Sequence, residues 1–144
     1  MDEGLRQYRI IEIPRFTDLR GTLSVIDGRP FLPFDPKRFF YIYGVPDGAQ
    51  RGCHALKTDE ELIIAVAGSF KILVDDGNSA MELQLDQPNR GLYVPPLKWH
   101  VLHSFTPGAV CAVLASAPYD SDGYFRVYEE FLDAVRRSHG CEPS

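Results

Sequence analysis

The chain has 144 residues, of which 44% are hydrophobic, and it carries a formal net charge of -5. This length suits one domain with a core of its own, and we expect a single domain over residues 1–144. The acidic balance, without any basic stripe, argues against nucleic acid as a partner. No apolar run approaches the roughly 20 residues that a membrane span requires, so we expect no membrane partner either.

The cysteines indicate the redox compartment. Cys53, Cys111 and Cys141 are odd in number and match no zinc or disulfide spacing. Free thiols are typical of a reducing compartment. The acidic second and third residues are the opposite of the basic start of a signal peptide. We therefore expect a cytoplasmic protein.

Short runs of β type, separated by Gly, Pro and Asp, dominate residues 8–118. The segment 75–78 predicts a hairpin turn, with Gly77 able to take a positive φ. Two prolines exclude a central strand at 94–97. Many short strands at close spacing predict a β-sandwich or barrel. The predicted strands are Tyr8–Ile13, Gly21–Asp27, Arg38–Tyr43, Leu62–Ala67, Ser69–Asp75, Met81–Leu85, Gly91–Val94, His100–Ser104 and Ala109–Ser116.

The last predicted element is a helix over about residues 122–137, where apolar residues recur at helical spacing. Asp120, Ser121 or Asp122 stands where a residue would cap its start, and Gly140 stands where the helix would end. We expect this amphipathic helix to pack on the outside of the barrel. Its apolar residues are Phe125, Tyr128, Phe131, Leu132 and Val135.

The spacing of Gly48, His54, Glu61 and Gly68 carries the first chemical signal. It resembles the motif G-x5-H-x-H-x4-E-x6-G, which is the first metal-site motif of a cupin barrel. One position departs from this motif, because Leu56 stands where the second histidine is expected. A cupin without this ligand is expected to carry out chemistry other than that of a metal ion.

A second cupin-like motif runs from residue 91 to His100. Residues two apart in a strand face the same side, so we expect His54 and Leu56 to point into the barrel, where Glu61 and His100 join them. Three such ligands are enough for a catalytic zinc or iron, and a metal-dependent dioxygenase stays open as an alternative. Because an apolar Leu56 is expected to line the same cavity, we expect no metal.

A series of short motifs then appears in order along residues 8–132. Each is weak evidence alone, and their order and spacing together carry the resemblance. The motifs are Arg20-Gly21, Pro33-Phe34, Lys37 to Ile42, Arg51 to Ala55, Gly68 to Phe70, Val74 to Gly77, Gly91 to Pro96, Trp99-His100, Val113 to Ser116, Tyr119-Asp120 and Tyr124 to Tyr128. The chain resembles the dTDP-4-dehydro-6-deoxyglucose 3,4-ketoisomerases and the wider WxcM-like sugar-nucleotide cupins.

The resemblance implies an all-β fold, a double-stranded β-helix or jelly roll spanning about residues 8–118, with one C-terminal α-helix. It also implies a homodimer that uses no metal and no other cofactor. The implied activity moves a carbonyl between C4 and C3 of a deoxysugar linked to dTDP, in the biosynthesis of amino-sugars of surface polysaccharides. The implied partners are this nucleotide sugar and a second copy of the chain.

The resemblance also assigns catalytic candidates. The family motif R-G-x-H-A-H-K, with a tyrosine on the preceding strand, corresponds to His54 and Tyr41 here, and Leu56 again replaces the second histidine. Histidine suits a base that removes the C3 proton, because its pKa lies near working pH. Tyr41 or Arg51 is a candidate donor to the developing oxyanion. Glu61 and His100 are further catalytic candidates.

Three residues are candidates for substrate binding. Arg20 and Arg51 stand beside glycines at strand starts, and arginine forks suit the oxygens of a pyrophosphate. Trp99 suits a stacking platform as well as a core position. Two alternatives stay open for the function. One is an epimerase that works through the same enediol, and the other is a non-catalytic nucleotide-sugar-binding protein, which Leu56 favours.

Overall fold

The fold is built from two five-stranded antiparallel sheets and one helix at the C-terminal end, in a computed structural model that describes residues 7–139. The strands are β1 (Arg9–Glu12), β2 (Arg15–Asp18), β3 (Gly21–Ser24), β4 (Arg38–Ile42), β5 (Arg51–Leu56), β6 (Glu61–Ala67), β7 (Phe70–Asp75), β8 (Ala80–Leu85), β9 (Arg90–Val94), β10 (Trp99–His103), β11 (Val110–Ala115) and β12 (Tyr124–Phe125); the helix is α1 (Tyr128–Ser138). The predicted all-β class with one C-terminal helix is confirmed.

From β4 onwards, consecutive strands switch between the two sheets, as in a jelly roll, except for β7 and β8, which are neighbours in one sheet. The first sheet has the order β1-β9-β6-β11-β4 and the second β12-β5-β10-β7-β8. Strands β2 and β3 form a separate two-stranded hairpin. This crossing pattern places β5 and β10 of the second sheet opposite β4, β6 and β11 of the first. These five strands and Tyr124 of β12 form the walls of the candidate site.

The main core lies between the two sheets. The inward residues of β6, β9 and β11 pack against those of β7, β8 and β10, and all are apolar. Burial of this kind is the main source of stability in a small domain. The fully buried members include Ile63, Phe70, Ile72, Leu92 and Cys111.

Two strands were missing from the predicted set. Strand β2 pairs with β3, but its four residues are exposed and lack a clear apolar face. The predicted strand Gly21–Asp27 begins at Gly21 and ends earlier, at Ser24. Strand β5 (Arg51–Leu56) was absent from the predicted strands, since its two residues Gly52 and Cys53 at positive φ interrupt the β pattern.

The predicted helix starts too early. Asp120 does cap a turn, as its side chain accepts a hydrogen bond from the Asp122 backbone, but the capped element is a short 3₁₀ turn over Ser121–Gly123. The next residues form β12, which pairs with β5. The helix begins only at Tyr128, so strand pairing overrides the helical spacing that includes Phe125. Its predicted end at Gly140 lies outside the described residues.

The helix packs on the outer face of the second sheet, as predicted. Phe131 and Val135 are buried there against Trp99 and Ala55. The predicted hairpin turn also forms, and Gly77 has φ +96°. A methyl group added at Gly77 would lie 3.0 Å from the Val135 side chain, so this glycine permits both the turn and the approach of the helix. In the described part of the chain, no helix is long and apolar enough to cross a membrane.

Candidate active site

A cavity of about 390 Å³ opens between the two sheets at the end formed by β4, β5 and β10. Its walls combine apolar side chains with a concentrated set of ionisable ones. A cavity of this kind, with a few converging polar groups, is the usual form of a small-molecule site. The polar and ionisable side chains that line it are Arg38, Arg51, His54, Glu61, His100, Tyr119, Tyr124 and Arg126.

A bulge in β5 brings Arg51 and His54 to the same face. Between β10 and β5, His100 pairs with His54 and Leu102 pairs with Arg51. Three residues of β5 therefore span the same distance as two residues of β10. Cys53, with φ +60°, accommodates the extra residue. Residues three apart point to opposite faces in a regular strand, and the bulge removes this difference. The cavity therefore receives both a cationic and a basic group from one strand.

His54 lies between two aromatic rings. Its ring centre is 4.9 Å from that of His100, edge to face, and 4.8 Å from that of Tyr124. Burial, together with the charges of His100 and Arg126, lowers the pKa of His54 to about 3. The imidazole is therefore neutral at physiological pH, with one unprotonated ring nitrogen, and burial makes this nitrogen a weaker base than that of an exposed histidine.

Glu61 and His100 form a buried pair behind His54. The Glu61 Oε1 atom lies 3.7 Å from His100 Nε2, which is too long for a direct hydrogen bond. His100 Nδ1 lies 3.2 Å from the Lys98 carbonyl oxygen. A carbonyl only accepts, so Nδ1 carries the proton and Nε2 presents a lone pair towards Glu61.

The two members of this pair titrate in different ways. Burial raises the pKa of Glu61 to about 7, although the Arg38 guanidinium opposes this rise. Burial lowers the pKa of His100, against a smaller opposite effect of its bond to Lys98. At neutral pH the cavity therefore contains two neutral imidazoles and one carboxyl group that is protonated over a wider pH range than an exposed glutamate.

Two exposed arginines lie at the cavity. Arg51 comes from β5, and Arg126 follows β12 with its guanidinium 4.8 Å from the centre of the Tyr124 ring. Arg126 Nη1 also donates a hydrogen bond to the Ser121 carbonyl, at 2.7 Å. Two guanidinium groups at one cavity suit an anionic group of a ligand.

Tyr41 does not reach this cavity. Along β4, Arg38, Phe40 and Ile42 face inwards, so the intervening Tyr41 faces the opposite side of the sheet. Its side chain is 58% exposed and stacks on Tyr43. The predicted position of Tyr41 beside His54 is therefore corrected, and Tyr124 of β12 supplies the phenol next to His54 instead.

Trp99 and Arg20 also lie outside the cavity. Trp99 precedes His100 in β10 and so faces the other side of the sheet, where it packs on Tyr128 and Phe131 of α1. Of its two predicted uses, only the packing one fits this position. Arg20 lies in the turn of the β2–β3 hairpin and pairs with Asp18 at 2.6 Å. Within one chain neither residue lines the cavity.

Leu56 is buried, with 1% of its surface exposed, but it does not line the cavity. It pairs with Tyr124 across β5 and β12, and paired residues share a face of the sheet. Leu56 therefore faces the same side of the sheet as Tyr124, as predicted, but Tyr124 and not Leu56 forms the cavity wall near this position. The phenol ring of Tyr124 lies beside His54.

His54, Glu61 and His100 do line one cavity, as the cupin spacing predicts. Yet across residues 7–139 no group of three His, Cys, Asp or Glu side chains is arranged to hold a metal ion. His100 Nδ1 bonds to the Lys98 carbonyl and leaves Nε2 facing Glu61, and the two imidazoles pack edge to face. The geometry gives no support to the metal-dependent alternative.

Four polar or ionisable cavity residues were missed as site residues by sequence reasoning, namely Arg38, Tyr119, Tyr124 and Arg126. All four lie within motifs that carry the family resemblance. That was the available signal. Tyr124 and Arg126 reach the cavity because β12 pairs with β5. These two strands are separated by about half of the chain, and their pairing has no local sequence signature.

The fold and the site together define a cupin-type jelly roll with a polar, small-molecule cavity. Residues 6–136 match the family described as "FdtA: WxcM-like, C-terminal". The chain belongs to this family. It is 39% identical over 131 residues to the TDP-4-oxo-6-deoxy-alpha-D-glucose-3,4-oxoisomerase of Aneurinibacillus thermoaerophilus, covering 91% of this chain and 94% of that protein.

Solved structures of 3,4-ketoisomerases have a fold similar to that of this chain. The sugar 3,4-ketoisomerase QdtA of Thermoanaerobacterium thermosaccharolyticum, in complex with TDP, is 34% identical with a TM-score of 0.89, over 92% of this chain and 97% of that one. A 3,4-ketoisomerase of Helicobacter canadensis is 36% identical with a TM-score of 0.87, over 90% and 97% of the two chains. Sugar-nucleotide epimerases of similar structure are only 18% and 20% identical, which shows a shared fold alone.

Proposed function

We propose that this protein is a sugar-nucleotide isomerase that moves the carbonyl of a TDP-4-keto-6-deoxyhexose between C4 and C3. The observation that carries the proposal is a neutral, largely buried His54 packed against Tyr124 and His100 in the cavity between the two sheets. Its relatives support the substrate class, since they are named as TDP-sugar 3,4-ketoisomerases. A histidine-to-asparagine variant of QdtA was captured with TDP-4-keto-6-deoxyglucose.

The reaction requires one base and one proton donor. The 4-keto group acidifies the C3 hydrogen, and His54 accepts it as the C3–H electron pair forms the C3–C4 double bond of an enediolate. A proton is then delivered to C4, and the proton that the C3 hydroxyl loses balances the one that the C4 oxygen takes up, so that C4 carries a hydroxyl and C3 the new carbonyl. The sugar gains no net proton, electron or atom, so acid–base side chains are sufficient for the reaction and no oxidant is needed.

Tyr124 is placed to donate to the developing oxyanion, because its ring contacts His54 and its hydroxyl accepts a bond from Arg38. Glu61 and His100 are the proposed proton source for C4. The carboxyl group of Glu61 holds a proton over part of the neutral pH range, which suits general acid–base catalysis. Tyr41 has no proposed role within its own chain.

Arg51 and Arg126 are proposed to bind the pyrophosphate, since both present guanidinium groups at the cavity. We propose that the reaction needs no metal ion. Free thiols at Cys53 and Cys111 support our proposal of a cytoplasmic location; Cys141 lies outside the described residues.

We also propose a homodimer. The outer face of the first sheet carries exposed apolar side chains on β4 and β6, among them Phe39, Tyr41 and Val66. The β2–β3 hairpin adds exposed Phe16 and Leu23. A two-stranded hairpin is marginally stable without a packing partner, and large exposed apolar patches mark interaction surfaces. A second copy of the chain offers the matching surface.

The test is incubation with TDP-4-keto-6-deoxyglucose in deuterium oxide, followed by NMR. We expect the carbonyl signal to move from C4 to C3 and deuterium to enter at C4 of the product. Deuterium at C5 would show epimerase chemistry instead. Neither product nor deuterium, with the ligand still bound, would show a binding protein and overturn the proposal. Metal analysis of the active protein accompanies the assay, and a stoichiometric metal would overturn the metal-independent mechanism.

A further inference from the structure

Arg38 is a charged side chain that gives up and takes up no proton in the proposed transfers. It lies at the start of β4 and faces the cavity, and its side chain is only 14% exposed. Its guanidinium carbon lies 5.3 Å from the centre of the Phe40 ring and 5.7 Å from that of the Tyr119 ring. The two aromatic rings therefore restrict where the guanidinium group lies.

One nitrogen of Arg38 reaches two groups of the site. Its Nη2 atom donates to the Tyr124 hydroxyl at 3.3 Å and lies 3.8 Å from Glu61 Oε2. Tyr124 in turn packs on His54, and Glu61 faces His100. Arg38 thus connects the phenol beside one imidazole to the carboxyl group beside the other.

The other two guanidinium nitrogens of Arg38 have no hydrogen-bond partner in the described part of the chain. Its Nε and Nη1 atoms are buried and make no hydrogen bond within the described chain. Buried donors without partners are rare in proteins because they cost free energy, and each one calls for an explanation. Support for a functional site is one such explanation, and it agrees with the position of Arg38 at the cavity.

The charge of Arg38 acts on Glu61 against the other surroundings. Burial raises the pKa of Glu61 and Asp59 adds to this rise, whereas Arg38 lowers it. The other ionisable groups that face Glu61 are His100 on β10 and Cys111 on β11, both buried. Among these neighbours, Arg38 is the group that carries a positive charge at every accessible pH. Without it, the carboxyl group would stay protonated to higher pH.

We infer that Arg38 is a positioning residue of this site, which holds the Tyr124 hydroxyl beside His54 and keeps Glu61 able to exchange a proton. The inference rests on the proposed function, because the role that it gives to Arg38 is in proton transfer. It predicts an effect on the rate and on the pH profile rather than on substrate affinity.

The test compares Arg38→Met and Arg38→Lys with the wild type. In Arg38→Met we expect kcat to fall about 10- to 100-fold, the effect of losing one hydrogen bond to a charged group, while KM stays within about threefold. The midpoint of the pH profile that reports Glu61 should rise by about one pH unit. Arg38→Lys keeps the charge without the fork, so it should restore this midpoint and only part of kcat.

Arg9→Met is the matched control. Arg9 also lies over an aromatic ring, with its guanidinium 4.8 Å from the centre of the Tyr93 ring, but it is exposed and lies outside the cavity. This variant should behave as the wild type. A rise of tenfold or more in KM with unchanged kcat in Arg38→Met would instead show direct substrate binding. That outcome, or an unmoved pH midpoint, overturns the inference.

A titration of Glu61 by NMR, with carbon-13 in the glutamate carboxyl groups, separates this inference from the proposed function. It needs no substrate, so it remains valid if the wild type shows no isomerase activity. Glu61→Gln identifies the signal. We expect the midpoint of Glu61 to rise in Arg38→Met and to stay unchanged in Arg9→Met and Arg38→Lys. Circular dichroism establishes that each variant is folded, and an unchanged Glu61 midpoint in folded Arg38→Met overturns the role of Arg38.

Discussion

At the residue scale, the pKa values of two acid–base groups in the site depart from their ordinary values in opposite directions. Burial lowers the pKa of His54 to about 3 and raises that of Glu61 to about 7. Both changes favour the neutral form of the side chain, as expected for groups removed from water. The same changes make the stability of the protein depend on pH, because the unfolded chain binds protons differently.

The sign of the His54 contribution can be tested with His54→Asn. The folded pKa lies below the unfolded value of 6.5, so the unfolded chain binds the extra proton between these values. The stability from neutral His54 is present above pH 6.5 and is lost as pH falls. Between pH 7.5 and pH 5, we expect this loss to reach roughly 2 kcal/mol in the wild type and to be absent from His54→Asn.

Chemical denaturation at each pH measures this difference. Glu61 has the opposite sign, since its folded pKa lies above 4.5 and its contribution is lost as pH rises towards 7; it is present in both proteins. His139→Asn, at an exposed position, should follow the wild type. Parallel pH curves for wild type and His54→Asn would contradict the buried, neutral state of this imidazole.

Individual site residues differed in how far the sequence predicted their positions. Motif spacing placed His54, Glu61 and His100 in the cavity, because strand alternation and the cupin pattern are local properties. The same alternation argues against Tyr41, since Phe40 and Ile42 face inwards, yet the family motif suggested otherwise. Which face of β4 meets the cavity is set by packing against the second sheet, and this is not a local property.

At the scale of elements, the second sheet presents one face to the cavity and the other to the helix. His100 faces the cavity, while its neighbour Trp99 packs against α1. The helix lacks a side-chain cap at its N-terminus, where Val127 stands. Its stability therefore depends on packing of its apolar face more than on local signals.

Phe131→Ala tests this dependence. Phe131 is fully buried and its ring centre lies 5.9 Å from that of Trp99. We expect the free energy of unfolding to fall by about 3–5 kcal/mol, the usual effect of removing a buried aromatic ring. Denaturant unfolding measures it.

Arg137→Ala, at an exposed position of the same helix, is the control and should change the free energy of unfolding by less than about 0.5 kcal/mol. Equal losses in the two variants would show that the helix contributes little through packing. Because the helix and the cavity lie on opposite faces of the sheet, kcat of folded Phe131→Ala should stay close to that of the wild type.

At the scale of the whole molecule, the exposed apolar side chains are not spread evenly. Phe39, Tyr41 and Val66 lie on one outer face of the first sheet and line a shared groove. Met81, by contrast, is exposed on β8 of the second sheet. This asymmetry is what an interface between copies requires, since a two-fold dimer uses the same patch on both subunits.

Val66→Glu tests the dimer by placing a charge within that groove. Two copies would bury two like charges without partners, which is strongly unfavourable. Light scattering after size-exclusion chromatography should report twice the chain mass for the wild type and the single chain mass for Val66→Glu at the same concentration. Met81→Glu, with a similar exposed fraction (53% against 46%), should remain dimeric. A monomeric wild type, or a dimeric Val66→Glu, would contradict the proposed interface.

The sequence by itself determined the β class, most strands, the hairpin turn at Gly77 and the imidazoles and carboxyl group of the cavity. These features follow from alternation, turn chemistry and short motif spacing, which act over a few residues. Only the tertiary structure decided that Tyr124 and Arg38 join His54, that Tyr41 faces away, and that residues 124–125 form a strand. Each of these depends on pairing or packing between segments far apart in the chain, where long-range contacts outweigh local preference.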